Sequence, residues 1–324
     1  MKNTTIILCI LGLSILNLCC NCDNNGHDPV EALLWTNDNF PSATLKGIWG
    51  SSENDIWAVG ANILHYNGTD WSSVSFPGTH ESLWCIYGFS DNDIWAGGNY
   101  VNGIIHYNGE SWLLIETPNP FPLTDYDQFT ILAIWGASPN DVWAMGEFGK
   151  ILHWNGSSWT ALDLEAYYET SFYAVWGTAT NDVWALGTGS TIIHWNGTTW
   201  TEVTNPLGNS SGSIIGDIHG TSSDNIWAVT GHKVIQWNGS EWSESITLED
   251  YACTVWCTSE TDVWVLGSGS SSWPIHHWTG EAWEEELNPA DPKGIFESFG
   301  FAADNIWAVG QEIIIHYAYY SFTN

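Results

Sequence analysis

A seven-bladed β-propeller, with four antiparallel strands in each blade, is the fold this sequence predicts, and three observations predict it. One line returns along the chain, as in IWGSSENDIWAVGANILHYNGTDW at 48–71, IWGASPNDVWAMGEFGKILHWNGSSW at 134–159 and VWGTATNDVWALGTGSTIIHWNGTTW at 175–200. Each copy holds four short apolar runs separated by turn signals. The second runs, DIWAVG, DVWAMG and DVWALG, are apolar at consecutive positions, as strands are when both faces are covered. Units of four strands repeating at this period close radially into a propeller.

The elements follow in order. Residues 1–22 read as a signal peptide: MKNTT carries one positive charge, and the apolar run IILCILGLSILNL is short for a bilayer span. Cys19, Cys20 and Cys22 come next. The segment resembles a bacterial lipoprotein signal, which implies that Cys19 or Cys20 carries a lipid. The protein is then exported to the cell envelope or cell surface, or simply secreted, with the membrane touched only through the anchor. Residues 23–30 form a short polar linker, and 31–324 the propeller.

Within the propeller the second-strand Trp marks each copy: Trp57, Trp95, Trp143, Trp184, Trp227, Trp264 and Trp307. The first copy supplies LKGIWG, DIWAVG, NILHYN and WSSVSF as its four strands. Asn67-Gly68 between the last two predicts a two-residue hairpin with both residues at positive φ, and Asn108, Asn155, Asn196 and Asn238 repeat it. Fourth strands open on Trp71, Trp112, Trp159, Trp200, Trp242 and Trp283, but the seventh copy ends at IIIHYAYYSFTN without one. Trp35 stands before Trp49 at the interval that separates Trp242 from Trp256. The strand around Trp35 is therefore expected to complete the last blade, which leaves no open edge.

A His column also recurs: His65, His106, His153, His194, His277 and His316, with Gln236 in the fifth copy. One His per blade is too widely spread for shared chemistry, and Gln keeps a hydrogen bond but no acid–base function. The column is expected to be structural, bonded to the turn acids Asp55, Asp93, Asp141, Asp182 and Asp262.

Composition narrows function. The chain has 324 residues, 44% of them hydrophobic, and a net charge of −32 with five lysines and no arginine. It is apolar enough to bury a core. Nucleic-acid binding lacks its cationic stripe, and bidentate Arg recognition of phosphate or carboxylate has no residue to use. Cys253 and Cys257 stand four apart in one strand, beyond disulfide reach, so free thiols are expected with Cys85.

The line WGxxxxDVWAVG…ILHWNGxxW resembles a tandem repeat of exported bacterial proteins grouped with kelch, galactose-oxidase-like and sialidase-like propellers. The resemblance implies the architecture and little about activity. The sialidase arginine triad and Asp-box are absent, as are a galactose-oxidase Tyr–Cys motif and the WD signature.

What varies between copies points to function. The connections from fourth to first strands and from second to third strands lie on one face of the ring and differ in length and content. That face carries Trp84, Trp273, Tyr100, Tyr126, Tyr167, Tyr168 and Tyr251 beside Asp125, Asp127, Glu165, Glu169 and Asp250. Three functions are weighed. The first is a monomeric, non-catalytic propeller that binds a glycan or protein through this aromatic, acidic face. The second is a glycosidase or lyase with Asp125 and Asp127 as its carboxylates. The third is a divalent-metal protein with His219, His232 and His276 as ligands. No cofactor is predicted, although the acidic turns leave Ca²⁺ open. A close, desolvated carboxylate pair in a pocket would favour the enzyme.

Overall fold

The computed structural model describes residues 30–37, 44–77, 82–99, 103–118, 130–162, 164–206, 216–268, 275–286 and 294–322. The chain is all-β, a propeller of antiparallel blades. The third repeat shows the pattern: Ile131–Ser138, Asp141–Gly146, Ile151–Trp154 and Trp159–Leu162 pair in sequence order as one four-stranded sheet. Trp135 faces Trp143, Trp143 faces His153, and Trp154 faces Trp159. No helix among the described residues is long and apolar enough to cross a membrane.

The expectation of seven separate blades is corrected by the hydrogen bonding, which groups the strands into six sheets. Five have four strands, and one, from the fifth and sixth repeats, has six. The reason is local. The connection Thr247-Leu248-Glu249-Asp250-Tyr251 has no Gly or Pro to break it, so one strand runs from Trp242 to Ser259. Asn225–Trp237 is likewise continuous, although Gly231 within it takes a φ of 61°. Its Lys233–Trp237 part pairs with 242–247, while Tyr251–Ser259 pairs with Asp262–Ser268.

The strand Val30–Asn37 pairs antiparallel with Ile313–Phe322, from Val30 opposite Phe322 to Asn37 opposite Ile315. Trp35 is 3% exposed. The chain's two ends thus build one sheet, as the Trp35 spacing predicts.

Tryptophans join the units. Each second-strand Trp meets, edge to face, the fourth-strand Trp of the next unit. Trp57 meets Trp112, Trp95 meets Trp159, Trp143 meets Trp200 and Trp184 meets Trp242. Trp227 meets Trp283, Trp264 meets Trp35, and Trp307 meets Trp71, which closes the circle. Centroid distances run from 5.2 Å for Trp143–Trp200 to 5.9 Å for Trp264–Trp35. This is the geometry the ring quadrupoles prefer. First-strand aromatics wedge between units as well. A Cβ on Gly88 would lie 2.7 Å from the Trp49 ring, so only glycine fits beneath it.

The hairpin turns differ from expectation. Tyr66 pairs with Trp71, so the loop has four residues, and only Gly68 takes positive φ, at 91°. Asn67 Oδ1 accepts the backbone N–H groups of Thr69 and Asp70, each at 3.0 Å. The Asn thus shapes the turn through its side chain.

The His column is structural. His65, His106, His153 and His194 bond the turn carboxylates of Asp55, Asp93, Asp141 and Asp182 at 2.6–2.7 Å. His277 reaches Asp262 at 2.5 Å. Each ring stacks on the second-strand Trp of its own unit, as His65 does on Trp57 at 4.1 Å. In the fifth repeat Gln236 donates to Asn225 Oδ1 instead, at 3.0 Å.

Candidate functional site

First strands run along the ring axis, and one segment from each repeat lines a central cavity of about 290 Å³: 47–49, 85–87, 132–135, 173–176, 217–219, 255–256 and 297–299. Matching the strands position by position gives a column of Gly47, Cys85, Ala133, Ala174, Asp217, Thr254 and Glu297. Four units place a small residue there, and three successive units place an acid, a hydroxyl and an acid. Two positions on, the column is aromatic: Trp49, Tyr87, Trp135, Trp176, Trp256 and Phe299, with His219 in the fifth repeat.

The polar residues form one network. Asp217 Oδ1 accepts its neighbour's N–H, from Ile218, at 2.7 Å, and Oδ2 accepts the Val255 N–H at 2.9 Å. Glu297 Oε1 accepts the Ser298 N–H at 3.0 Å. The Thr254 hydroxyl stands between the acids, 3.0 Å from Asp217 Oδ2 and 3.1 Å from Glu297 Oε1, and 2.7 Å from Ser298 Oγ. Thr254 and Ser298 are buried, while both acids reach the cavity wall.

Burial pushes the Asp217 carboxyl up, against the backbone N–H bonds that favour its charged form. Burial, together with the neighbouring Asp217 charge, holds Glu297 well above the usual carboxylate range. Asp217, with two backbone donors, is the better anion, so the pair carries its shared proton on Glu297.

His219 completes the wall. Its Nδ1 accepts the Cys257 N–H at 3.1 Å and its ring stacks on Trp256 at 4.0 Å. Burial drives the imidazole down to about 3, so it is neutral, with its proton on Nε2. Cys85, Cys253 and Cys257 are free thiols, all pushed up by burial and so unreactive.

Lys46 Nζ sits 3.2 Å from the Trp84 ring centre and 5.4 Å from that of Phe296. Burial lowers the Lys46 amine. Trp84 is therefore already covered by a cation. Tyr168 and Tyr251 are exposed, at 38% and 52%. Tyr251 packs against His232 at 4.3 Å. Tyr167 instead packs inward on Phe172 at 5.9 Å, because its loop is tied down by Gly149 N–H donating to Thr170 O at 2.6 Å. That bond also holds Phe148, 48% exposed and at φ 58°, beside Tyr168. A bulky residue at positive φ on a loop tip is unusual and was not among the residues singled out from sequence.

The metal ligands predicted from sequence do not converge. His219 faces the cavity and His232 packs on Tyr251. His276 lies opposite Glu285 in a strand pair, and burial lowers its imidazole. No group of three or more potential metal ligands occurs among the described residues. Tyr100, Asp125, Tyr126, Asp127, Trp273, Cys19 and Cys20 lie outside the described residues.

No protein-family model matches the chain, and no curated protein matches it in sequence. Solved structures match in fold. One titled YCF48 bound to D1 peptide superposes with a TM-score of 0.68 at 17% identity, over 88% of this chain and 96% of that one. A catalytically inactive virginiamycin B lyase from Staphylococcus aureus with quinupristin gives 0.72 at 17% identity, over 88% and 98%. The WD40 repeats of RRP9 give 0.69 at 11% identity, over 88% and 97%. Identities this low speak for the propeller fold alone.

Proposed function

We propose that the protein is a binding propeller that docks a protein or peptide partner on its variable-loop face, around the mouth of the central cavity. The observation that carries this is the exposed aromatic set Phe148, Tyr168 and Tyr251, the first two on loops tied by the Gly149–Thr170 bond and the third on the continuous strand Trp242–Ser259. Exposed aromatics on a rigid scaffold are the residues that interfaces use as anchors. A peptide-bound propeller among the structural neighbours supports the reading. We read the six-stranded sheet as two units sharing continuous strands, so that seven repeats surround the cavity. Export and lipid attachment at Cys19 or Cys20 belong to the same reading. The test is capture of partners from an envelope extract, followed by affinity measurement on Phe148→Ala, Tyr168→Ala and Tyr251→Ala. Each should weaken binding about tenfold, or ~1.4 kcal/mol. Unchanged affinity in all three would place the interface elsewhere.

A second reading, an enzyme acting on carbohydrate, draws on the close, desolvated pair Asp217 and Glu297. Glycosidases flank the scissile bond with their two carboxyls. Here one hydroxyl bridges both acids, so they stand together on a single side of the cavity. That arrangement suits holding a charge better than spanning a bond. Turnover of chromogenic glycosides, abolished by Asp217→Asn, would reverse the preference.

A further inference from the structure

We infer that the central cavity is a receptacle for a cationic side chain, a lysine ammonium or arginine guanidinium, held by Asp217 and Glu297. The inference rests on the docking reading, since the partner presents that side chain at the variable-loop mouth.

The wall does not need these acids for packing. Equivalent positions in four other units are Gly47, Cys85, Ala133 and Ala174, and the strands there form the same sheets. Two carboxyls at this depth oppose folding, since desolvation disfavours their charged forms. They are nonetheless fixed in place. Asp217 is pinned by two backbone N–H groups, and Glu297 Oε1 by the Ser298 N–H. Glu297 Oε2 has no hydrogen-bond partner among the described residues, and Glu297 lines the cavity. An acceptor without a partner therefore opens into the cavity.

The surroundings select the sign of the charge. The aromatic wall makes a medium of low dielectric, where an ion pair is strong once formed. A net charge of −32 draws cations toward the ring and repels anions. Lys46 lies over Trp84, so the acids remain available to an incoming charge. The neutral His219 adds no competing positive charge, and its Nε2–H is left to donate to a ligand oxygen.

Proton bookkeeping follows. In the empty site Glu297 carries the shared proton. When a guanidinium or ammonium arrives, Glu297 ionises, its O–H bond breaks, and the proton passes to solvent while the two carboxylates face one cation. Binding is therefore linked to proton release, because the cation favours the ionised carboxyl that burial disfavours.

The experiment is calorimetric titration of the purified chain with n-butylguanidinium and n-butylammonium, with n-butylurea as the uncharged control. Buffers of different ionisation enthalpy count the protons. Saturable binding of at least one cation, release of protons on binding, and no binding of the urea are expected. Glu297→Gln should weaken binding at least tenfold and abolish the release. Should that variant fail to fold, the carboxyl ¹³C shift of Glu297 in the unaltered chain gives the same answer, moving to the ionised value as cation is added. Equal binding of the urea, no saturation by either cation, or a carboxyl signal that stays put would overturn the inference. The two proposals separate cleanly. Failed cation titrations with partner capture still lost on Phe148→Ala, Tyr168→Ala and Tyr251→Ala would sink the cavity assignment alone. Successful titrations with partner capture indifferent to those changes would sink the docking face alone.

Discussion

His277 and His316 occupy the same place in their units and stack on equivalent tryptophans, at 4.0 and 3.7 Å, yet they titrate in opposite directions. Burial lowers both. In His277 the bonds to Asp262 and Glu286 outweigh it and raise the imidazole to about 9. His316 meets Asn305 instead, and burial takes it down to about 4. The linkage signs therefore differ. His277 contributes stability in full below pH 6.5, lost as pH rises through about 9. Asp262, lowered by the same bond against burial, contributes above its ordinary 3.8 and loses that contribution under acid. His316 becomes a liability as pH falls from 6.5 toward 4. Asn305→Asp should lift His316 above 6.5, read by NMR titration of its ring protons.

Glu297 titrates with the sign of His277. Its raised carboxyl costs the fold nothing below 4.5, where it is neutral folded or unfolded, and becomes a growing liability as pH rises above that. Glu297→Gln should therefore raise the melting midpoint more at pH 8 than at pH 4, and a gain independent of pH would show that the fold leaves the Glu297 carboxyl unshifted. The His column was legible in sequence because Gln236 marked it as replaceable. The Asp217–Thr254–Glu297 network was not. Recurring tryptophans draw attention to what is constant, and these three residues are visible only as departures from a column of small ones.

At the scale of the element, the strand Val30–Asn37 was legible from the spacing of Trp35 alone. Trp35 packs on Trp264 at 5.9 Å and Tyr317 at 5.1 Å. Trp35→Ala should cost about 3–5 kcal/mol, as large core truncations do. Amide exchange should accelerate first in its partner, Ile313–Phe322, so uniform acceleration across all strands would deny it a local role. The fused strand Trp242–Ser259 was not legible as such. Its repeat boundaries are marked by side-chain pattern, whereas strand continuity depends on whether the backbone between them turns. The turn type was missed for a related reason: Asn-Gly signals a turn, but the length of the loop is fixed by the Tyr66–Trp71 pairing.

For the whole molecule, charge and closure act together. A net charge of −32 with five lysines makes every folded contact work against self-repulsion. Raising salt from about 0.01 M to about 0.15 M shortens the Debye length from ~30 Å to ~8 Å. The melting midpoint should rise over that interval, and a flat response would mean that the carboxylates are already compensated. The ring architecture was legible because its repeat is strong; the cavity was not, because it is an emergent property of strands far apart in sequence.

The Trp264–Trp35 and Trp307–Trp71 contacts are of the same kind as the other five, but they alone join the first and last parts of the ring. Every other seam can zip as soon as two neighbouring units exist. These two must wait, with the earliest strand held in reserve until the final one arrives. A chain made from its N-terminus therefore passes through an open crescent, whose Val30–Asn37 strand is unpaired until Ile313–Phe322 has been made, and a chaperone that recognises extended apolar strands would find its target there.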